Sequence, residues 1–123
     1  MKLKLLLFLI VSFLCFNKHS NAQTFSGTTG AVPDLATTCF TANVVGLPGV
    51  LTPTNGLITC CINLTHTYDA DLTMVLTAPS GASIQLTSNN GGAGDNYITT
   101  CFDGNAATSI TTGTAPFNGS YRP

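Results

Sequence analysis

The stretch His66-Thr67-Tyr68-Asp69-Ala70-Asp71-Leu72 decides the fold, together with the run Thr73-Met74-Val75-Leu76-Thr77 and the turn Ala78-Pro79-Ser80-Gly81 that follow it. From Leu72 the chain alternates: Leu72, Met74 and Leu76 fall on one side, Thr73, Val75 and Thr77 on the other. Period two predicts a half-buried strand. Pro in the second place and Gly in the fourth suit Ala78–Gly81 to a type I turn. Ser83, Gln85 and Thr87 then alternate with Ile84 and Leu86, so a hairpin over Leu72–Thr87 is expected. Asp69 and Asp71 stand two apart where a loop enters this strand, and on an extended chain they would face the same way.

The same alternation extends in both directions. Upstream, Leu57–Thr65 predicts a strand with Ile58, Cys60, Ile62 and Leu64 on its apolar face and Thr59, Cys61, Asn63 and Thr65 opposite. Cys39–Val45 also reads as a strand, ended by Gly46-Leu47-Pro48-Gly49. Val50–Thr54 reads as a short extended piece, and Pro53-Thr54-Asn55-Gly56 as a turn. Downstream, Ser88–Asn96 holds Asn89, Asn90, Asn96 and Gly91, Gly92, Gly94. Such a loop is either a floppy connection or a preformed oxygen-rich cradle, because Gly and Asn both tolerate left-handed backbone. Tyr97–Phe102 is extended again, Asp103-Gly104-Asn105 turns, and Ala106–Pro123 is a Thr/Gly-rich run. Lys and Glu are absent after residue 22, and nothing there reads as a helix, so the fold class is all-β.

Residues 1–22 form a secretory signal: Lys2 and Lys4, an apolar core from Leu5 to Phe16, and the small residues of Ser20-Asn21-Ala22, with cleavage expected after Ala22. The chain is therefore expected to be secreted. Residues 23–38 are a linker or an edge strand, and 39–123 the domain. With the signal removed, Arg122 alone opposes five aspartates, a formal charge of minus four. No basic patch and no Trp favour a nucleic-acid partner, and no basic amphipathic helix favours a membrane surface. Cys39, Cys60, Cys61 and Cys101 remain, an even number that predicts two disulfides in an exported chain. A bond between Cys60 and Cys61 would strain the backbone, so each is expected to join one of Cys39 and Cys101. The pairing itself stays open. Cys60 falls on the apolar face and Cys61 on the outer one.

The series from Leu64 onward resembles the P domain, or Homo B domain, of subtilisin-like proprotein convertases and related secreted bacterial proteins. The resemblance rests on His66-Thr67-Tyr68, Asp71-Leu72, Pro79-Ser80-Gly81, Gly94-Asp95-Asn96, Phe102-Asp103, Ala115-Pro116-Phe117 and Tyr121-Arg122-Pro123. It runs from about Cys39 to the last residue. Tyr68 stands where that family usually has Trp, Gly104 and Asn105 stand where relatives often carry further acidic residues, and the closing glycine-tryptophan strand is missing. The resemblance implies a jelly-roll-type antiparallel β-sandwich, truncated at its C-terminus. It also implies a non-catalytic accessory module that docks on and stabilises an adjacent catalytic or structural domain of a longer polypeptide, such as a subtilisin-like serine endopeptidase.

Calcium is the expected cofactor. A hard cation takes six to eight oxygen ligands, and four of the five carboxylates fall between Asp69 and Asp103 with no Lys nearby to offset them. Asp71, Asp95 and Asp103 are the predicted ligands, with Asp69 and Asn96 as further partners. Among these, Asp71 is favoured over Asp69, since the resemblance fixes Asp71-Leu72 more firmly. The bland alternative is five solvated turn aspartates. A triad of Ser80, His66 and an Asp finds no support, because no G-x-S-x-G elbow occurs and Ser80 sits in a turn beside Pro79. A secreted carbohydrate- or protein-binding module is the alternative function, with Tyr68, Tyr97 and Tyr121 as stacking platforms or as packed surface residues.

Overall fold

The computed structural model of the chain describes residues 22–47 and 56–123. The signal segment other than Ala22, the extended piece Val50–Thr54 and all of the predicted turn except Gly56 lie outside the described residues. The chain forms two compact units. In one, residues 22–31 and 38–45, a single bridge joins Gly27 to Ala42. Thr28 N–H donates to Thr41 O at 2.8 Å, and Thr41 N–H donates to Thr28 Oγ1 at 2.9 Å. The strand expected over Cys39–Val45 is thus reduced to one bridged residue, and its apolar side chains Phe40, Val44 and Val45 remain largely exposed.

The other unit, residues 32–37 and 46 onward, is all-β. Its strands are β1 (Thr59–Leu64), β2 (Thr73–Thr77), β3 (Ser83–Ser88), β4 (Tyr97–Asp103) and β5 (Gly119–Tyr121), with single 3-10 turns at Asp69–Asp71 and Ile110–Thr112. β2 and β3 form a two-stranded sheet, and a second sheet has the order β1-β4-β5. The expected wholly antiparallel arrangement holds for β1–β4 and β2–β3, but β5 runs parallel to β4. A parallel partner needs a long connection, and the segment 104–118 between β4 and β5 supplies it.

The predicted hairpin is present. Gly81 N–H donates to Ala78 O at 2.9 Å, closing the turn, and Gly81 adopts φ +87°, where a side chain would be strained. Met74 pairs with Thr87 but Val75 pairs with Gln85, so Leu86 is an extra residue on β3. This bulge breaks the expected β3 alternation: Leu86 and Thr87 are both buried, and Ile84 is exposed. On β1 and β2 the alternation is as expected, with Cys60, Ile62, Leu64, Met74 and Leu76 turned towards the interior.

Both sheets contribute to one core of Leu72, Leu86, Tyr97, Phe102, Ile110 and Phe117. Tyr97 and Phe117 stack with ring centroids 4.6 Å apart, and Tyr121 meets Phe117 edge-on at 5.9 Å. Each such buried side chain contributes about 1.5–3 kcal/mol by leaving water. The buried Thr100 hydroxyl donates to Phe117 O at 2.7 Å, which fixes the segment after β4 over the sheet.

Cys61 and Cys101, directly opposite each other on β1 and β4, form a disulfide. Cys61 is exposed, so this bridge lies on the outer face, as its place in the alternation requires. The second expected bridge is not formed: Cys39 is an exposed free thiol, and Cys60 is a free thiol packed against the core, where burial pushes its pKa up.

Candidate metal centre

The site grows from the segment between β1 and β2 and the loop between β3 and β4. Asp69 N–H donates to Gly94 O at 2.8 Å and Ala70 N–H to Gly92 O at 3.1 Å. Asn89 closes the other side: its backbone N–H donates to Leu72 O at 2.9 Å, and its side-chain amide donates to Ala70 O. Asn96 makes a two-way clasp with His66. Its Oδ1 accepts His66 N–H at 3.0 Å, and its own N–H donates to His66 O at 3.2 Å. Asn89, Asn96, Gly91 and Gly92 all have positive φ, the conformation these two residue types adopt at least cost. Of the two readings of Ser88–Asn96, the ordered cradle is the one observed.

Asp69 lies beneath this loop with no exposed surface. A Cβ at Gly91 would stand 2.7 Å from Asp69 Cβ and 2.8 Å from the Phe117 ring, so only glycine lets the loop close over the carboxyl. Neither Oδ1 nor Oδ2 of Asp69 has a hydrogen-bond partner. Burial pushes its pKa above the ordinary carboxylate range; the Asn96 N–H lowers it, the Asp95 charge raises it further, and His66 lowers it. The Asn96 N–H is near enough to act on the charge, yet its hydrogen bond goes to His66 O. Tyr97 borders the same place, its hydroxyl donating to Asn90 O at 3.4 Å. Burial raises its pKa, Thr87 lowers it and Asp69 raises it.

The structure sorts the predicted ligands. Asp69, Asp95 and Asn96 come together. Asp71 does not join them. The segment is a 3-10 turn rather than extended chain, and at three residues per turn positions two apart diverge, so Asp69 points in while Asp71 is exposed. Asp103 closes the far end of β4, seven residues long, about 20 Å from Tyr97 by strand rise. There its Oδ1 accepts Asn105 N–H at 2.8 Å and caps the turn. Asn96 Oδ1 is held by the His66 clasp. Among the described residues no three His, Cys, Asp or Glu side chains gather as a metal-binding group. The sequence favoured Asp71 over Asp69 because the resemblance fixes Asp71-Leu72 more firmly. The signal for Asp69 was the string of glycines that seals it, a long-range contact no spacing reveals.

The donors present are carboxylate, amide and carbonyl oxygens, which suit a hard cation. A buried carboxylate with two unpartnered oxygens costs several kcal/mol unless it is protonated or meets a cation. Asp69 is the residue here with that unmet demand, and Asp95 is the carboxylate whose charge acts on it.

The other functional sets are not assembled. Ser80 lies in the hairpin turn, its Oγ accepting Ala82 N–H at 3.4 Å, while His66 is clasped at the opposite end of the hairpin. Of the three tyrosines, Tyr97 is fully buried and Tyr121 packs on Phe117, leaving Tyr68 exposed.

Comparison with protein families gives one match: residues 56–114 match the family model of the proprotein convertase P-domain. The motifs Ala115-Pro116-Phe117 and Tyr121-Arg122-Pro123 lie beyond the matched residues. Comparison with curated proteins gives no match, and neither does comparison with solved structures. The β1–β4 framework, the hairpin and the Asp69 loop all fall inside the segment, residues 56–114, that matches the proprotein convertase P-domain model.

Proposed function

We propose that this chain is the non-catalytic accessory P domain of a secreted protein, of jelly-roll type, that stabilises and docks on a neighbouring catalytic or structural domain such as a subtilisin-like serine endopeptidase. One calcium ion is held at the Asp69 loop. Asp69 supplies the central carboxylate and Asp95 the nearest second one, and loop carbonyls and water complete the oxygen shell. Calcium supplies the positive charge that the buried carboxylate lacks and ties together the two segments that meet over it. Asp71, exposed on the same 3-10 turn, and Asp103, at the far end of β4, stay outside this shell.

The observation that supports this best is the Asp69 carboxylate, wholly buried with both oxygens unpartnered. A ligand that binds only the folded state stabilises it by about 2.7 kcal/mol at a hundred times its Kd. Thermal unfolding of a chelated sample with calcium restored is the test. We expect a rise of several degrees that is absent in Asp69→Asn and unchanged in Asp103→Asn. No rise in the unmodified protein would remove calcium from this function. Docking is tested separately, by the unfolding temperature of the neighbouring domain with and without this one in the same polypeptide.

The alternative of a carbohydrate-binding module loses Tyr97, which is buried, and keeps Tyr121 only in part, since that ring meets Phe117 edge-on.

A further inference from the structure

We infer that Asn96 is the positioning residue of the Asp69 centre: it is not a ligand, but its two-way clasp on His66 sets how the loop carrying Asp95 meets the segment carrying Asp69. This rests on the calcium reading above and names the device that prepares the site before any ion arrives. Three observations carry it. The Asn96 side-chain oxygen already accepts His66 N–H at 3.0 Å, so the group a cation would take is engaged in a backbone contact thirty residues away. The Asn96 N–H returns a bond to His66 O at 3.2 Å, so one residue fixes both polar groups of the same peptide position. And Asn96 sits at φ +73°, one residue after Asp95 and two after Gly94, whose carbonyl receives the Asp69 N–H at 2.8 Å.

Together these make a closed frame. His66 is three residues before Asp69, and Asn96 one after Asp95. Locking 66 to 96 and 69 to 94 leaves the two carboxylates little freedom to drift apart. Two like charges held close repel. A frame built from backbone bonds must supply the restraint. Outer-shell groups of this kind change metal affinity by about 10–100-fold when removed.

The test uses Asn96→Gly, which keeps the left-handed backbone and deletes only the side-chain acceptor. In chelator, the His66 amide should exchange with solvent about tenfold faster than in the unmodified protein, as expected for one lost hydrogen bond. Calcium affinity, read by titration calorimetry well below the unfolding temperature, should fall about tenfold or more. Asn96→Asp, whose carboxylate can accept the same His66 N–H, should restore both. Asn63→Gly is the matched control. It removes an equivalent bond, Thr99 N–H to Asn63 Oδ1 at 2.7 Å, elsewhere in the sheet, and should lower stability without weakening calcium.

Unchanged His66 exchange in Asn96→Gly with weakened calcium would make Asn96 a ligand and overturn the proposal. Faster exchange with unchanged affinity would reduce the clasp to a structural bond and overturn it too. If Asn63→Gly weakened calcium as much, the effect would be general loosening. Absence of calcium binding by the unmodified protein overturns the metal reading itself, and is recognised apart because exchange is measured without the ion.

Discussion

At one end of β4 stand Asp95 and Asn96, preceded by Gly91, Gly92 and Gly94; at the other stand Asp103, Gly104 and Asn105. In composition the two ends are nearly alike. In the structure Asp103 finds a donor two residues away, the Asn105 N–H at 2.8 Å, and its turn is finished. At the other end the carboxylate that matters is Asp69, which comes from a different segment and finds no donor. A turn can satisfy an acid within three residues; a cradle closed by two distant segments buries one without doing so. The first arrangement is self-sufficient; the second leaves its acid to be met by a proton or a cation.

The largest expected effect comes from filling the space over Asp69. Gly91→Ala places a Cβ 2.7 Å from Asp69 Cβ at φ +99°. Strain of both kinds should cost about 3 kcal/mol, read as a lowered denaturant midpoint with calcium absent. A cost near zero would mean the loop is free to lift off Asp69, and the two ends of β4 would be more alike than they look.

Asp69→Asn sharpens the contrast from the other side. Without calcium it should stabilise the fold by about 1–3 kcal/mol, because it removes an unpaired buried charge. The pH dependence carries the same sign. Asp69 has a raised pKa in the folded state, so its favourable contribution is complete below the ordinary aspartate range and is lost as pH rises through the raised value. The unfolding temperature of the metal-free protein should fall over that window, and Asp69→Asn should flatten the fall. A rise instead would show that the carboxylate has donors.

The smallest effect is expected at Asp103. Asp103→Ala loses one turn-capping bond, worth about 0.5–1 kcal/mol, and leaves calcium stabilisation intact. Loss of that stabilisation would join the two ends of the strand in one site.

Much of the fold was legible in residue order. Period two in Leu57–Thr65 and from Leu72 identified β1 and β2 with their inner faces, except that Ile58, expected on the apolar face, precedes β1 and is exposed, and Ala78–Gly81 identified the turn. The β3 face was not legible beyond Gln85, because a bulge at Leu86 shifts the register and alternation assumes none. The segments that meet around the buried acid, the start of the hairpin and the glycine loop, were legible; which aspartate they bury was not. Asp69 and Asp71 face the same way on a strand and apart on a 3-10 turn, and no rule of spacing distinguishes those two backbones.

Residue order suffices for the all-β class, the hairpin, the likeness of residues 56–114 and the outward place of Cys61, because each depends on contacts between near neighbours or on motifs in order. That Asp69 is the buried acid, that Asn96 spends its oxygen on His66 and that Asp103 is already satisfied emerges on folding. Burial and hydrogen bonding between segments some thirty residues apart are properties of the closed fold, and a carboxylate's chemistry follows from what surrounds it.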